Sequence, residues 1–532
     1  MTLRAIRRPS ARGLVIAACA ALALVLRAYQ LTRPGYLLGV TEYDDGVLFG
    51  NALRLVSGVI PYRDFSVVQP PGSILLMAPT ALLAKVIGTA WGLAVARVLT
   101  VCADTANVVL LGVLIRHRGA LTAGVACGLY AVYPDAITAA HTFMLEPWLN
   151  VCCLLGAVAI FDGNRLAGTA PRQPPGARRA PRPADTARVA WGGAAFGFAV
   201  AVKIWALVPL AIAGLLLTLT ARRVRPTAAL AGGAALGLGV PLLPFAVLAP
   251  GAMARGVLVG QVVRNASGSR HLLSRLADLA GLQLLPARLP QAMTLLVIAA
   301  AAAGCYAAAY LAAGRPFQSL DAYAFLGAVT VTGMFLWPRL YYSHYGAFDG
   351  PFLALAIALP IGLLTARLAD LARLRAAAAA VLAIVVMTAM VLQFQAESRL
   401  YGTQVAAAAD RLIPAGACVV TNDSAYTVAA DRFYSDVRGC PVLVDSFGTL
   451  FAVTDGRSNA APPAILRPVV QLWQTALERA RYVWLTSDTT AQIPWTRQLY
   501  GYFTDHFRPI GFAWSHWSKR HVPRPGLYIR EG

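Results

Sequence analysis

The sequence predicts a mostly α, polytopic membrane protein of about 11 transmembrane helices with a C-terminal extracytoplasmic α/β domain. Of its 532 residues, 58% are hydrophobic and 13% are charged, which lies outside the usual balance of soluble proteins. Apolar stretches of roughly 17 to 25 residues, long enough to cross a bilayer, recur from Gly13 to Phe394. Beyond Phe394, short strand-like and helix-like segments alternate. We therefore predict a transmembrane domain at 1–393 and a second domain at 394–532.

The basic residues predict the orientation of the chain. A net charge of +22 would suit a nucleic-acid partner, but the arginines cluster in short loops between apolar segments. That distribution is typical of membrane proteins, whose cytoplasmic loops are basic, and it excludes nucleic acid as the expected partner. The basic segment Met1–Arg12 precedes an apolar stretch without an obvious small-residue cleavage site, so we expect a retained first helix rather than a removed signal peptide. The basic segment is predicted to lie in the cytoplasm. The chain is thus expected in the plasma membrane, with its C-terminal domain outside.

The number of spans depends on the segment Gly72–Gly88. If it crosses the membrane, the Pro- and Arg-rich linker 164–188 falls outside; if it is re-entrant or lies on the surface, every basic cluster falls inside. We adopt the second alternative. The predicted spans are 13–31, 91–115, 119–139, 147–162, 190–202, 205–220, 227–249, 291–313, 320–337, 350–367 and 375–393.

This topology collects polar residues on the outer side. The first outer loop, 32–90, carries acidic residues just before a predicted helix at Val47–Val56, where carboxylates suit the positive helix end. Asp44 and Asp45 can therefore be helix caps. Alternatively, they can act as a general base or hold a divalent cation. Later outer loops add Glu146, Lys203, Arg264, Arg339 and His344.

Three motifs in the first outer loop carry a family resemblance. They are Tyr43-Asp44-Asp45-Gly46, the segment 58–65 (GVIPYRDF) and Gln69-Pro70-Pro71-Gly72. With Glu146 in the next outer loop, the outer Lys203 and the aromatic-histidine segment 341–345, they resemble the GT-C glycosyltransferases. The similar branch uses polyprenyl-phosphate sugars and includes protein O-mannosyltransferases and aminoarabinose transferases. Many members have Asp-Glu in place of Asp44-Asp45, and Lys or His in place of Gln69.

The resemblance implies an inverting transfer of a sugar from polyprenyl phosphate, with mannose favoured over arabinose. The acceptor would be an envelope glycan, glycolipid or protein. Asp44 would be the general base, with Asp45 as second choice, and Glu146 would join the catalytic group. The resemblance also allows a divalent cation, Mg²⁺ or Mn²⁺, as a cofactor, and its ligands would be Asp45 and Glu146. The implied phosphate ligands are Arg63, Lys203, Arg264 and Arg339, and the implied substrate ligands are Glu42, Tyr43, Asp64, Gln69 and His344.

Other interpretations remain open at this point. A transporter or flippase of lipid-linked sugars would carry its functional charges near the membrane midplane and often shows repeated halves, and no repeat is evident. Arg264 would also suit an interfacial helix, and His344 an interfacial histidine. Arg97 and Asp104, seven residues apart, are predicted to form an internal structural pair. The Ala- and Arg-rich, Lys-poor composition is typical of an actinobacterial genome.

The C-terminal domain is predicted to be a small α/β sandwich. Strands are expected at 418–421, 441–444, 481–486 and 526–529, with helices near 402–411 and 463–480. Cys418 and Cys440 are the two cysteines of this domain, and in an oxidising compartment a disulfide between them is expected. Asp423 and Asp445 follow predicted strands and are candidate contacts for an acceptor glycan.

Overall fold

The computed structural model describes residues 10–167, 183–220, 224–259, 271–284, 291–311, 317–338, 341–367, 372–433, 439–454, 462–486, 492–512 and 520–531. Two predicted phosphate ligands, Arg264 and Arg339, lie outside these residues. Most of the predicted linker 164–188 also lies outside them.

The part of the chain up to Glu397 is predominantly helical. Its helices are α1 (Ala11–Leu31), α2 (Tyr43–Val56), α3 (Gly72–Ile87), α4 (Thr89–Leu114), α5 (Ala120–Ala131), α6 (Pro134–Ala140), α7 (Leu145–Ile160), α8 (Pro183–Val202), α9 (Leu207–Thr220), α10 (Arg225–Leu248), α11 (Pro250–Ala254), α12 (Leu272–Leu279), α13 (Gln291–Leu311), α14 (Ser319–Leu336), α15 (Gly346–Arg367) and α16 (Ala372–Glu397). Short 3-10 turns occur at Arg116–Arg118, Ile204–Ala206, Leu282–Leu284 and Ser343–Tyr345, a π turn at Arg255–Val259, and a small hairpin at β1 (Phe161–Asp162) and β2 (Arg165–Leu166).

Seven helices in the described part of the chain are long and apolar enough to cross a membrane: α1, α4, α10, α13, α14, α15 and α16. The bent pair α5–α6, with an angle of 56°, would be an eighth span. Helix α3 and α7 are shorter apolar helices, as is the stretch that contains α9. The chain is thus a multi-pass membrane protein. The count of 11 spans, and the non-spanning placement of α3, remain predictions.

Helix α2 begins four residues earlier than the sequence pattern indicates. The predicted helix starts at Val47, whereas α2 starts at Tyr43 and includes Asp44 and Asp45 in its first turn. Glu42, in an extended conformation, precedes it. Carboxylates in a first turn interact favourably with the helix dipole, which explains why the helix extends through them.

Two buried ion pairs connect the helices, and they differ from the predicted pair. Arg27 of α1 binds Asp104 of α4, while Arg97 of α4 binds Asp45 of α2. The predicted pairing of Arg97 with Asp104 is wrong. Seven residues span about 10.5 Å along a helix axis, too far for a direct contact, so each residue pairs with another helix.

The C-terminal region contains a four-stranded sheet. Its elements are α17 (Ala406–Leu412), β3 (Val419–Thr421), α18 (Ser424–Ala429), α19 (Ser446–Val453), α20 (Pro463–Arg479), β4 (Tyr482–Leu485), α21 (Arg497–His506), β5 (Phe507–Gly511) and β6 (Gly526–Arg530). The strand order is β3-β4-β6-β5, in which only β3 and β4 are parallel. Three of the predicted strands are present. The predicted strand at 441–444 is wrong, because this segment pairs with none of the strands and leads into α19, and β5 was not predicted.

The disulfide joins Cys418 and Cys440, whose Cα atoms are 5.5 Å apart. It connects the residue before β3 to the segment 441–444. The next residue, Asp445, accepts a hydrogen bond from the backbone N–H of Gly448 at 2.6 Å through its side chain and so caps α19. The cross-link therefore helps to fix the entry into α19.

The C-terminal region packs directly on the first predicted outer loop. Val40 and Thr403 exchange backbone hydrogen bonds of 2.9 and 2.8 Å. Helix α2 approaches α18 so closely that a Cβ atom at Gly46 would lie 1.9 Å from the backbone nitrogen of Ala425. Only glycine fits there. This contact places the start of α2 beside residues of the C-terminal region.

Candidate active site

A cavity of about 400 Å³ lies where the start of α2, the loop before α3, the start of α7, the turn after α8, the turn before α15 and the C-terminal region meet. Its lining residues are Glu42, Tyr43, Asp44, Val47, Leu48, Val68, Gln69, Met144, Leu145, Glu146, Lys203, Tyr341, Tyr342, Ser343, His344, Tyr345, Asp445, Phe447 and Gln492. The cavity thus brings together residues from four of the predicted outer loops and from the C-terminal region.

Asp44 and Asp45 point to different environments although they are adjacent. Asp44 is partly buried and lines the cavity, and no cation in the described part of the chain pairs with it. Asp45 is fully buried, and its carboxylate binds Arg97 at 2.5 Å and accepts the backbone N–H of Phe143 at 2.6 Å. The first carboxylate can therefore reach a ligand, whereas the second holds protein segments together.

Glu146 and Lys203 form a buried ion pair on the cavity wall. The Lys203 Nζ atom lies 2.6 Å from Glu146 Oε1. The same ammonium group lies 3.5 Å from the ring centre of Trp205 and 4.9 Å from that of Tyr345. Glu146 is placed in the first turn of α7 and Lys203 between α8 and the turn that precedes α9. The pair presents a positive charge held in place by a carboxylate and by aromatic rings.

His344 completes this wall. It lines the cavity and lies within electrostatic range of Glu146, Asp44 and Lys203. Its ring stacks on Tyr342 with an angle of 9° between the ring planes. The segment 341–345 therefore contributes several of its side chains to the cavity, and its function as a site motif stays a prediction.

Glu42 is a carboxylate of the cavity whose pKa is raised. Its side chain remains accessible to water, but partial desolvation, followed by repulsion from Asp44, Asp45 and Asp423, raises the pKa of Glu42 to about 7. Glu42 can therefore hold or release a proton near neutral pH.

The C-terminal region supplies a further wall of the cavity. The Tyr43 hydroxyl donates a hydrogen bond to Asp445 Oδ1 at 2.9 Å and accepts one from the backbone N–H of Phe447 at 3.1 Å. Gln492 is held by Asn422, whose Nδ2 donates to Gln492 Oε1 at 2.6 Å. Sequence analysis had singled out Asp445, whereas Phe447 and Gln492 carry no local motif that would have indicated them.

Some predicted site residues lie elsewhere. Arg63 and Asp64 bind each other at 2.8 Å in an exposed ion pair, and neither lines the cavity. Asp423 caps α18 through a hydrogen bond from Ala425 N–H, outside the lining residues. Gln69 does line the cavity, and its backbone oxygen accepts a hydrogen bond from the Tyr62 hydroxyl at 2.5 Å.

The predicted metal ligands do not fit a shared cation. Asp45 and Glu146 are each bound to a buried basic side chain, Arg97 and Lys203 respectively. In the described part of the chain, no group of three or more His, Cys, Asp or Glu side chains is arranged to hold a metal ion. Since both carboxylates already compensate a positive charge, we derive no step that passes through a metal.

Comparison with known proteins identifies the fold. No protein-family model and no curated protein matches the chain. The structure is similar to that of ArnT from Cupriavidus metallidurans in the apo state, over 98% of each chain, with 13% sequence identity and a TM-score of 0.57. It is also similar to ArnT bound to undecaprenyl phosphate, over 97% of each chain, with 14% identity and a TM-score of 0.55.

A third similar structure is the apo oligosaccharyltransferase of Archaeoglobus fulgidus. It matches over 88% of this chain and 69% of its own, with 12% identity and a TM-score of 0.50. At these identities the likeness establishes the fold. The chain therefore shares the fold of ArnT and of this oligosaccharyltransferase, while its membership of the GT-C glycosyltransferases and of a branch within them remains a prediction.

Proposed function

We propose that the chain is a membrane glycosyltransferase that uses a polyprenyl-phosphate sugar. Mannose is the favoured sugar and arabinose the second choice. The acceptor is a hydroxyl group of an envelope glycan, glycolipid or protein on the outer face of the plasma membrane. The observation that carries this proposal is the cavity itself, in which Asp44, paired with no cation of the described residues, lies in the same space as the Lys203–Glu146 pair. The ArnT fold, seen with undecaprenyl phosphate in that protein, supports it.

The proposed reaction is a single displacement. Asp44 accepts the proton of the acceptor hydroxyl, whose oxygen attacks the anomeric carbon of the donor sugar. The bond between that carbon and the phosphate oxygen breaks, and the electron pair leaves with the polyprenyl phosphate. Attack opposite to the leaving group inverts the configuration at the anomeric carbon.

Lys203 is proposed to stabilise the leaving phosphate. A preorganised cation lowers the barrier most where negative charge develops, and Lys203 is held by Glu146 and two aromatic rings. Glu146 then acts on the reaction through Lys203, as a positioning residue. Arg264 and Arg339 remain proposed additional phosphate ligands.

Asp44 is favoured over Asp45 as the base because of their surroundings. A general base must be within hydrogen-bond reach of the proton that it accepts, and the buried Asp45 carboxylate is already occupied by Arg97 and by the backbone N–H of Phe143. Asp44 lines the cavity and has room for a hydroxyl group beside it. Glu42, Tyr43, Gln69 and His344 are proposed to bind substrate.

We also propose that the C-terminal region lies on the outer side of the membrane. The C-terminal region contributes Asp445, Phe447 and Gln492 to the cavity, so cavity and C-terminal region lie on the same side of the membrane. A disulfide such as Cys418–Cys440 is typical of an oxidising compartment. Both observations support an extracytoplasmic C-terminal domain.

The test measures transfer of radiolabelled sugar from polyprenyl-phosphate mannose into the envelope fraction of membranes that contain the protein. Wild type, Asp44→Asn and the exposed-surface control Asp64→Asn are compared at equal protein level. We expect wild type and Asp64→Asn to transfer the label and Asp44→Asn to lose transfer at least 100-fold, in keeping with the typical contribution of a general base.

The same measurement is repeated with the arabinose donor if mannose is not transferred. Failure of both donors in wild-type membranes, or full activity of Asp44→Asn, would contradict the proposed enzyme. Uptake of an intact lipid-linked sugar across the membrane would then identify a transporter instead.

A further inference from the structure

A second cavity, of about 260 Å³, lies beside the candidate active site. It forms where the last turn of α1, the start of α6, α12 and the end of α16 meet. Ser343 lines both this cavity and the first one, so the short turn at Ser343–Tyr345 separates the two spaces. A ligand that extends beyond the first cavity past this turn would enter the second.

Carboxylates and amides make up most of the polar side chains that line the second cavity. The polar lining side chains with these groups are Gln30, Asp135, Asp278, Gln283, Gln393 and Glu397. Two of the amides orient two of the acids. Gln393 Nε2 donates to Glu397 Oε1 at 3.0 Å, and Gln283 Nε2 donates to Asp135 Oδ1 at 2.7 Å.

The amide oxygens of two lining residues have no hydrogen-bond donor among the described residues. Gln30 and Gln393 are 1% and 4% exposed, yet the Oε1 atom of each accepts no hydrogen bond from the described residues. Buried polar atoms without a partner are costly and therefore rare. Both residues lie near the C-terminal ends of α1 and α16, which could span the membrane, and polar side chains within such helices usually have a function. The two amides indicate a ligand that supplies hydrogen-bond donors.

The lining residues indicate the charge and the hydrogen-bonding groups of that ligand. Carboxylate and amide oxygens accept hydrogen bonds from hydroxyl groups, and amide nitrogens donate to them. No lysine or arginine is among the described lining residues, which disfavours an anionic ligand. The acids do not form a metal-binding group among the described residues. An uncharged, hydroxyl-rich ligand fits these walls.

The volume limits the size of the ligand. A water molecule takes about 30 Å³ of liquid volume, so a cavity of about 260 Å³ is larger than one that only holds a bridging water. It is smaller than the roughly 300 to 1,000 Å³ of pockets for drug-sized molecules. One sugar unit suits this space.

We propose that the second cavity binds one uncharged sugar unit of the acceptor, next to the unit whose hydroxyl is modified in the first cavity. The acceptor is then a glycan or glycolipid headgroup of at least two sugar units. This proposal rests on the proposed function, and it assigns no covalent step to the second cavity.

The first experiment compares two synthetic acceptors in the transfer assay, octyl mannoside with one sugar unit and octyl dimannoside with two. Glu397→Gln and Gln393→Leu are each expected to raise the KM for the dimannoside about five-fold, since each alters one buried hydrogen-bonding group, and to leave the KM for the mannoside and kcat unchanged. Glu531→Gln, at an exposed ion pair with Arg508, is the control. Equal effects on both acceptors, or none, would overturn the proposal.

The second experiment measures binding without transfer, so that it does not depend on the donor. Purified Asp44→Asn protein in detergent is titrated with octyl dimannoside and with the corresponding diarabinoside. We expect saturable binding of one of them, weakened about five-fold by adding Glu397→Gln and unchanged by adding Glu531→Gln. Absence of saturable binding, or displacement by tetramethylammonium chloride, would overturn the assignment to a neutral sugar. Saturable binding here, combined with no transfer from either donor by the wild-type protein, would contradict the proposed function alone.

Discussion

The Asp45 carboxylate and the Arg97 guanidinium form an ion pair of 2.5 Å, and neither side chain is exposed to solvent. Arg97 also donates to the backbone oxygens of Tyr36 and Gly39 at 2.7 and 3.0 Å, while Asp45 accepts the N–H of Phe143. The pair therefore ties the segment after α1, the start of α2 and the loop before α7 to one point. Asp44 is adjacent to Asp45, and Glu146 follows Phe143 by three residues. The contacts of the pair therefore help to hold Asp44 and Glu146 in the same cavity.

Replacement of Asp45 by Asn should primarily destabilise the protein. It leaves the buried Arg97 without its counter-charge, and loss of one partner of a buried pair typically costs about 3–5 kcal/mol. We expect a lower midpoint in thermal unfolding of the detergent-purified protein. Asp44→Asn should keep the wild-type midpoint and lose transfer. An Asp45→Asn protein with unchanged midpoint would contradict the structural assignment of Asp45.

Replacement of Lys203 by Met should abolish transfer and also reduce stability. It removes the proposed phosphate ligand and leaves Glu146 buried without a cation. In the double variant Lys203→Met, Glu146→Gln we expect stability to recover and transfer to remain lost, because a neutral amide needs no counter-charge. Thermal midpoints and label transfer of the four proteins in this cycle distinguish the two roles. Recovery of transfer in the double variant would exclude Lys203 as the phosphate ligand.

Replacement of Tyr43 by Phe should weaken substrate binding rather than the chemical step. The hydroxyl group connects α2 to Asp445 and Phe447. Its loss removes both hydrogen bonds between the α2 side of the cavity and the side formed by the C-terminal region. We expect an increased KM with a nearly unchanged kcat, and a stability loss of about 1 kcal/mol. Tyr528→Phe is the matched control, since its hydroxyl also donates one hydrogen bond, to the Arg524 backbone oxygen, outside the cavity lining. Equal KM effects of both variants would contradict this assignment.

Glu42 should give the stability a pH dependence between about pH 4.5 and pH 7. Its pKa in the folded protein, about 7, lies above the ordinary value of 4.5, so the folded state binds this proton more tightly than the unfolded chain. Its contribution to stability is complete below pH 4.5 and is lost as the pH rises to 7. The thermal midpoint of Glu42→Gln minus that of wild type should therefore increase as the pH rises over this interval.

The control for this titration is Asp64→Asn. The hydrogen bond from Arg63 lowers the pKa of Asp64 below its ordinary value of 3.8, so its contribution changes only at more acidic pH. Its pH profile between 4.5 and 7 should be parallel to that of wild type. A Glu42→Gln profile that is also parallel would show that the pKa of Glu42 is not raised.

Thiol labelling tests the orientation of the C-terminal region. Cys418→Ser breaks the disulfide and leaves Cys440, which is partly exposed, as a free thiol. A membrane-impermeant maleimide added to intact cells should label this variant, and should not label Cys418→Ser, Cys440→Ser. Labelling that appears only after the cells are broken would place the C-terminal region in the cytoplasm and contradict the proposed orientation.

The sequence by itself predicted the features that depend on local composition. Runs of apolar residues indicate helices that cross a bilayer because the backbone must satisfy its own hydrogen bonds there, and a helix is present at each predicted span. The pairing of Cys418 with Cys440 follows from their being the two cysteines after Phe394. The acidic motif at Asp44 and the segment 341–345 were also recognised locally, and both line the cavity.

The tertiary structure decided which charges pair and which remain available to a ligand. Asp45 and Arg97 are 52 residues apart, Glu146 and Lys203 57, and Tyr43 and Asp445 402. Hydropathy and helix propensity are set by neighbouring residues, whereas an ion pair depends on helix packing and on the cost of burying an uncompensated charge. For this reason the preference for Asp44 over Asp45 as the base, which in the sequence rested on a family resemblance, has a physical basis only in the fold, which places Arg97 beside Asp45 and the cavity beside Asp44.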